Sequence, residues 1–96
     1  MQIPSEIMIA EHIVKIGIYK DCRRIQSSGE YNNWYREIML NMEGTPEDVQ
    51  AETFLHEIHE SINRIFNLEL DHKTLTLLSE ILFQTIRRNK LNFVNP

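Results

Sequence analysis

Residues Thr45 and Pro46 separate two halves of the chain that differ in hydrophobic periodicity. Before them, short β-branched and apolar runs alternate with turn-forming residues, which is the pattern of β-strands. After Pro46, no Gly or Pro interrupts the chain as far as Asn67, and apolar residues recur at helical spacing. The sequence therefore predicts an α+β fold in which a small sheet is followed by two long helices.

The strand half, about residues 7–41, contains four candidate strands. We expect them to form two hairpins, with turns at Glu11-His12 and at Asn33–Arg36, and a polar segment at Cys22–Gly29 between the hairpins. The prediction is a small antiparallel sheet of three or four strands. The candidate strands are Ile7–Ala10, Ile13–Tyr19, Glu30–Asn32 and Glu37–Asn41.

The helical half begins with a start signal. Thr45 is predicted as the N-cap, Pro46 as the first helical residue, and Asp48 follows three residues after the cap. The first helix is expected over about 46–66. After a short connection, Asp71 is expected to cap a second helix over about 72–89, which leaves 90–96 as a tail.

Length and charge restrict the classes of function. The chain has 96 residues, for which we expect one domain, 1–96. Its net charge is −4 and it has no long basic run, so nucleic acid is not an expected partner. Cys22 is the only cysteine, which excludes an internal disulfide and a cysteine-based zinc site and favours a reducing compartment. No apolar run reaches about 18 residues, so we expect no membrane association and a cytoplasmic location.

The motif at His56-Glu57-Ile58-His59-Glu60 departs at one position from the H-E-x-x-H motif of zinc proteases, because Glu60 stands where the second histidine belongs. At 100° per residue, His56 and Glu60 share one side of the helix, turned away from its apolar stripe. Three interpretations follow: a metal site with one ligand exchanged, a site that has lost its metal, or a solvated polar face.

A zinc site needs three protein ligands and an open position for water. His56 and Glu60, one helical turn apart, are the first two candidates. Glu80, off the apolar stripe of the second helix, is the third if the helices are antiparallel. Glu57 would then be the general base. His59 and His72 remain alternative ligands, although a histidine in a first helical turn is more often simply exposed.

The segments Thr53–Ile58, Leu68–His72 and Leu78–Gln84, with the preceding strand pair Gly29–Tyr31 and Glu37–Asn41, resemble the small zincin-like proteins of phages and prophages. More distantly, they resemble minimal gluzincin peptidases. The resemblance covers about Ile7–Asn89. It implies a zincin-like fold, a zinc cofactor with His56 and Glu80 as ligands, Glu57 as general base, and a host bacterial cytoplasm. The family pattern has histidine where this chain has Glu60, so two carboxylates would reduce the Lewis acidity of the ion.

Three functions agree with these observations. The first is a zinc-dependent peptidase with a substrate groove along a sheet edge, assigned here to Glu37–Asn41. The second is a catalytically inactive zincin-like fold that binds a host or defence protein, with Trp34, Tyr31 and Tyr35 as candidate anchors. The third is a small domain in which a metal ion joins two helices.

Overall fold

The computed structural model describes residues 3–19, 28–42 and 44–91. The polar segment around Cys22 and most of the predicted tail lie outside the described residues. Four strands precede two helices, as the sequence predicted. The elements are β1 (Glu6–Ile9), β2 (His12–Tyr19), β3 (Gly29–Asn32), β4 (Glu37–Asn41), α1 (Glu47–Ile65) and α2 (His72–Asn89).

The sheet is mixed, whereas the sequence predicted an antiparallel sheet; one of its three strand pairings is parallel. Its strand order is β1-β2-β4-β3. Both hairpins are antiparallel, but β4 lies between them and pairs with β2 in parallel, with Ile16 opposite Ile38. A substrate groove along Glu37–Asn41 is therefore also excluded, because both sides of β4 are already paired. The strand at the edge beside the helices is β3.

Local chemistry explains the ends of the elements. The first hairpin turns at Ala10, which has φ 54°, so His12 is the first residue of β2 and not a turn residue. Pro46, not Thr45, is the N-cap residue of α1, and no side chain caps that end. Asp71 caps α2 as predicted, because its carboxylate accepts a hydrogen bond from the Thr74 N–H at 2.7 Å.

The core lies between one face of the sheet and α1. Val14, Ile38 and Leu40 are fully buried, and Phe54 of α1 packs on them. Three more isoleucines of α1, one helical turn apart or nearly so, complete the contact: Ile58, Ile62 and Ile65. This face is the apolar stripe that the sequence predicted.

The second helix packs on the opposite side of α1. Contacts between the helices run from Asn63–Leu70 through His59–Ser79 to Asp48–Arg87, so the two helices are antiparallel. Leu75 and Ser79 are the buried residues of α2, whereas Leu78 is about half exposed. Within the described residues, neither helix is both long and apolar enough to cross a membrane.

Replacement of Leu40 by Ala should test the position of the core. Leu40 is fully buried at the centre of the sheet, so the substitution leaves a cavity and should lower the free energy of unfolding by about 2–5 kcal/mol. Met8→Ala is the matched control, because Met8 is 69% exposed and should change stability by less than about 1 kcal/mol. Urea unfolding measures both values. Equal losses would place the core elsewhere.

Candidate metal centre

The polar face of α1 is covered by α2, so its histidines and carboxylates are not solvated. The side chains of His56 and Glu60 are only 17% and 25% exposed. Both residues belong to the polar face of α1, which the sequence predicted to be either a solvated surface or the wall of a cleft. The structure excludes a fully solvated surface at His56 and Glu60, because α2 and the start of β3 lie against this part of α1.

A cleft of about 410 Å³ opens between α1, α2 and the start of β3. Its floor is formed by His56 and Glu57 of α1, and His72 and Glu80 of α2 line the opposite wall. The remaining lining residues are small, hydroxyl-bearing or acidic: Ser28, Gly29, Val49, Glu52, Thr53, Thr76 and Ser79. Among the described residues, the cleft is therefore lined by imidazole and carboxylate groups and by no lysine or arginine.

Three side chains in and beside this cleft converge. Glu60 Oε1 lies 3.9 Å from His56 Nε2 and 3.7 Å from His72 Nδ1. Ligand atoms of all three residues lie within 4.8 Å of one another, the only such group found among the described residues. The two imidazole rings stand edge to face, with centroids 5.2 Å apart.

Geometry and donor chemistry fit a divalent metal ion. A tetrahedral ion with ligands at about 2.1 Å separates its ligand atoms by about 3.4 Å. The observed 3.7 and 3.9 Å need only a small closure. Glu60 Oε1 is also buried without a hydrogen-bond partner among the described residues, a costly state that a cation would relieve. Two histidines and a glutamate are a ligand set that zinc uses.

The surroundings of His56 and His72 affect which ring nitrogens are available to bind a metal ion. Burial lowers the pKa of His56, an effect that Glu60 and Glu80 partly oppose, so burial favours the neutral imidazole that binds metals. His72 is 79% exposed, and its Nε2 lies 3.4 Å from the Thr76 hydroxyl. A tautomer with the proton on Nε2 would leave the Nδ1 lone pair facing Glu60.

Glu57, the predicted general base, is 5% exposed and faces the start of β3. A Cβ atom placed on Gly29 would lie 3.0 Å from Glu57 Cγ, so a larger residue there would require the Glu57 side chain to shift by a few tenths of an ångström. Its carboxyl group accepts a hydrogen bond from the Tyr31 backbone N–H. Burial, followed by the negative charges of Glu60 and Glu30, raises the pKa of Glu57 to about 7.

The converging group differs from the predicted ligand set at its third member. Sequence analysis placed Glu80 with His56 and Glu60, whereas the structure brings His72 to them. Glu80 is exposed, lies outside the group and lines the same cleft, close enough for its charge to affect His56. The alternative ligand His59 instead places Nδ1 2.6 Å from the Ser79 hydroxyl, at the contact between the helices.

Sequence reasoning missed the burial of Glu57 and two structural polar residues nearby. Ser61 is fully buried, and its hydroxyl donates to the Glu57 carbonyl oxygen. Asn63 is buried at the end of α1 and bonds the connection to α2. The amide side chain of Asn63, off the apolar stripe of α1, was the available signal, because a buried amide on a helix needs backbone partners from another segment.

Comparisons of the chain with models of known protein families, with curated proteins and with solved structures found no match.

Stability should depend on the ionisation of Glu57. Its pKa in the folded chain is about 7, above the ordinary value of 4.5, so the folded state binds the proton more tightly than the unfolded state. Stability is therefore expected to fall as pH rises from about 4.5 to 7 and to level off above that. The difference in pKa corresponds to about 3 kcal/mol.

The Glu57→Gln variant isolates this effect, since its amide mimics the protonated carboxyl group. In the presence of a chelator, the variant should match the wild-type chain near pH 5 and exceed its unfolding free energy by up to about 3 kcal/mol at pH 8. Urea titrations at both pH values measure the difference. A difference that is the same at pH 5 and pH 8 would show that Glu57 does not titrate in this range.

Proposed function

We propose that this chain is a zincin-like metal-binding protein that holds one zinc ion through His56, Glu60 and His72. The observation that supports the proposal best is the approach of two imidazole nitrogens to Glu60 Oε1, a buried carboxylate oxygen that has no hydrogen-bond partner among the described residues. A phage origin and a location in the bacterial cytoplasm follow from the sequence resemblance alone.

We further propose that the bound ion serves hydrolysis of a peptide substrate. A zinc ion held by three protein ligands would polarise a carbonyl group and lower the pKa of a water molecule. Glu57, next to the first ligand and on the floor of the cleft, would accept the proton of the attacking water. The cleft also reaches Ser28 and Gly29 at the start of the edge strand β3.

A catalytically inactive binding module is the second candidate, and exposed aromatic residues favour it. Trp34 and Tyr35, in the turn between β3 and β4, are 87% and 68% exposed. Tyr31 is not an exposed anchor, because its ring is buried in the core. Aromatic residues on an exposed turn are frequent anchors of protein interfaces. In this function the zinc ion would only join α1 to α2, and a host protein would bind at the turn.

Metal content should decide the ligand set. We expect the untagged, gently dialysed chain to contain close to one zinc ion per molecule by elemental analysis. His56→Ala, Glu60→Ala and His72→Ala should each lose it, because two remaining ligands hold zinc poorly. His12→Ala is the matched control, since His12 contacts Arg36 and Phe66 away from the cleft. Loss in Glu80→Ala with retention in His72→Ala would instead support the ligand set predicted from the sequence.

Turnover should separate the two candidate functions. If the ion is catalytic, the zinc-loaded chain should cleave unfolded protein or a peptide library. Glu57→Gln should reduce the rate by about 100-fold or more with unchanged zinc content, because a general base contributes about 10²–10⁴-fold. Equal rates for the two proteins would exclude catalysis by Glu57. A zinc-loaded wild-type chain without any cleavage would favour the binding module.

A further inference from the structure

The connection between the helices, residues 66–71, must place His72 beside His56 and Glu60. It begins with a tight helix end, in which Asn67 has φ 50°. The Asn67 N–H donates to the Arg64 carbonyl oxygen, and the Leu68 N–H donates to the Asn63 carbonyl oxygen. These two bonds form a Schellman motif. They fix the first half of the connection but not the residues that lead into α2.

The second half of the connection is held by the side chain of Asn63. Asn63 Nδ2 donates to the Leu70 carbonyl oxygen at 3.1 Å, and Asn63 Oδ1 accepts from the Leu70 N–H at 2.9 Å. One amide thus pairs with both backbone groups of a single residue, as a neighbouring β-strand would. Asn63 is 8% exposed, so these two bonds are shielded from competing water.

Burial of apolar surface does not explain the position of Leu70, whose side chain is 40% exposed. Leu68 beside it is 49% exposed, and Glu69 between them has φ 60°, a strained value for a residue with a side chain. Polar contacts must therefore hold this segment. The amide of Asn63 supplies them from the last turns of the helix that also carries His56 and Glu60.

Leu70 precedes His72 by two residues. Because adjacent Cα atoms are 3.8 Å apart, the His72 Cα lies within about 7.5 Å of the Leu70 Cα. Asp71 between them caps α2 and so fixes the direction in which the helix starts. Fixing Leu70 to α1 therefore fixes the origin of the side chain that meets Glu60 at 3.7 Å.

We propose that Asn63 is a positioning residue of the metal centre, which holds His72 against His56 and Glu60 through its two hydrogen bonds to Leu70. This role rests on the proposed function in one respect: Asn63 affects metal binding only if His56, Glu60 and His72 hold a metal ion. The juxtaposition of the two histidines, however, is a property of the metal-free chain and can be measured without any ion.

The first test uses the metal-free chain. Ring protons of His56 and His72 should give a nuclear Overhauser effect in the wild-type chain, because the ring centroids are 5.2 Å apart. Asn63→Ala should lose this signal while retaining its circular dichroism spectrum. Asn63→Asp keeps the side-chain volume and the acceptor for the Leu70 N–H but loses the donor, so the signal should weaken. If Asn63→Ala does not fold, the Asn63→Asp variant provides the test instead.

Asn89→Ala is the matched control for the loss of an asparagine amide. Asn89 Nδ2 also donates to a backbone carbonyl oxygen, that of Thr85, but at the far end of α2. The control should keep the signal at full strength. Retention of the signal in Asn63→Ala, or its absence from the wild-type chain, would overturn the proposal.

The second test adds zinc and measures its dissociation constant by competition with a chromophoric chelator. Asn63→Ala should weaken binding by about 10–100-fold, as loss of a group that orients a ligand does. In a His72→Ala background the same substitution should change the dissociation constant less than twofold, because no ligand remains to be positioned. An equal effect in both backgrounds would indicate a general effect on the fold and contradict the proposal.

The two tests separate failure of this proposal from failure of the proposed function. If the wild-type chain binds no zinc but Asn63→Ala still loses the histidine signal, the metal function is wrong and the positioning of His72 by Asn63 stands. If zinc binds normally to the wild-type chain and to Asn63→Ala alike, the metal function stands and the positioning role is wrong.

Discussion

The fold depends on the packing of α1 between two different surfaces. One face of α1 is apolar and covers the sheet, and the other is polar and is covered by α2. Among the described elements, α1 contacts β3, β4 and α2, whereas the main contacts of α2 are with α1. The candidate metal centre lies within the polar contact, so the site exists only while α2 remains docked on α1.

Among the described residues of α2, one apolar side chain is buried, and Leu82, Phe83 and Ile86 are partly buried. Leu75 is the buried apolar residue that α2 provides, while Leu77, Leu78 and Ile81 are about half exposed. Hydrogen bonds such as His59–Ser79 and the Asn63 amide pair also hold α2 on α1, and each such bond contributes about 1 kcal/mol net. A metal ion held by residues of both helices would therefore have a large effect on the docking of α2.

The burial of Glu57, in contrast to these contacts, lowers the stability of the fold when its carboxyl group ionises. A carboxyl group that is 5% exposed and hydrogen-bonded to the edge strand favours protonation and costs stability when it ionises. Destabilised groups of this kind concentrate in functional sites. The glycine at position 29 belongs to the same arrangement, since a Cβ atom there would make tight contacts of 3.0 Å with the side chains of Glu57 and Thr53.

The sequence predicted those parts of the structure that depend on local chemistry. The helices, the Asp71 cap and the four strand positions follow from residues close together in the chain. The parallel pairing of β2 with β4 does not, because strand order is set by contacts between distant segments. Likewise, the motif identified His56, Glu57 and Glu60, but whether Glu80 or His72 approaches them depends on a connection whose path Asn63 determines.

The central claim is that one ion joins α1 to α2 through His56, Glu60 and His72. A crystal structure of the zinc-loaded chain, with anomalous scattering recorded at the zinc absorption edge, tests it directly. The account predicts one strong peak about 2.0–2.2 Å from His56 Nε2, Glu60 Oε1 and His72 Nδ1. A peak on any other set of ligands, or none after growth in excess zinc, would contradict it.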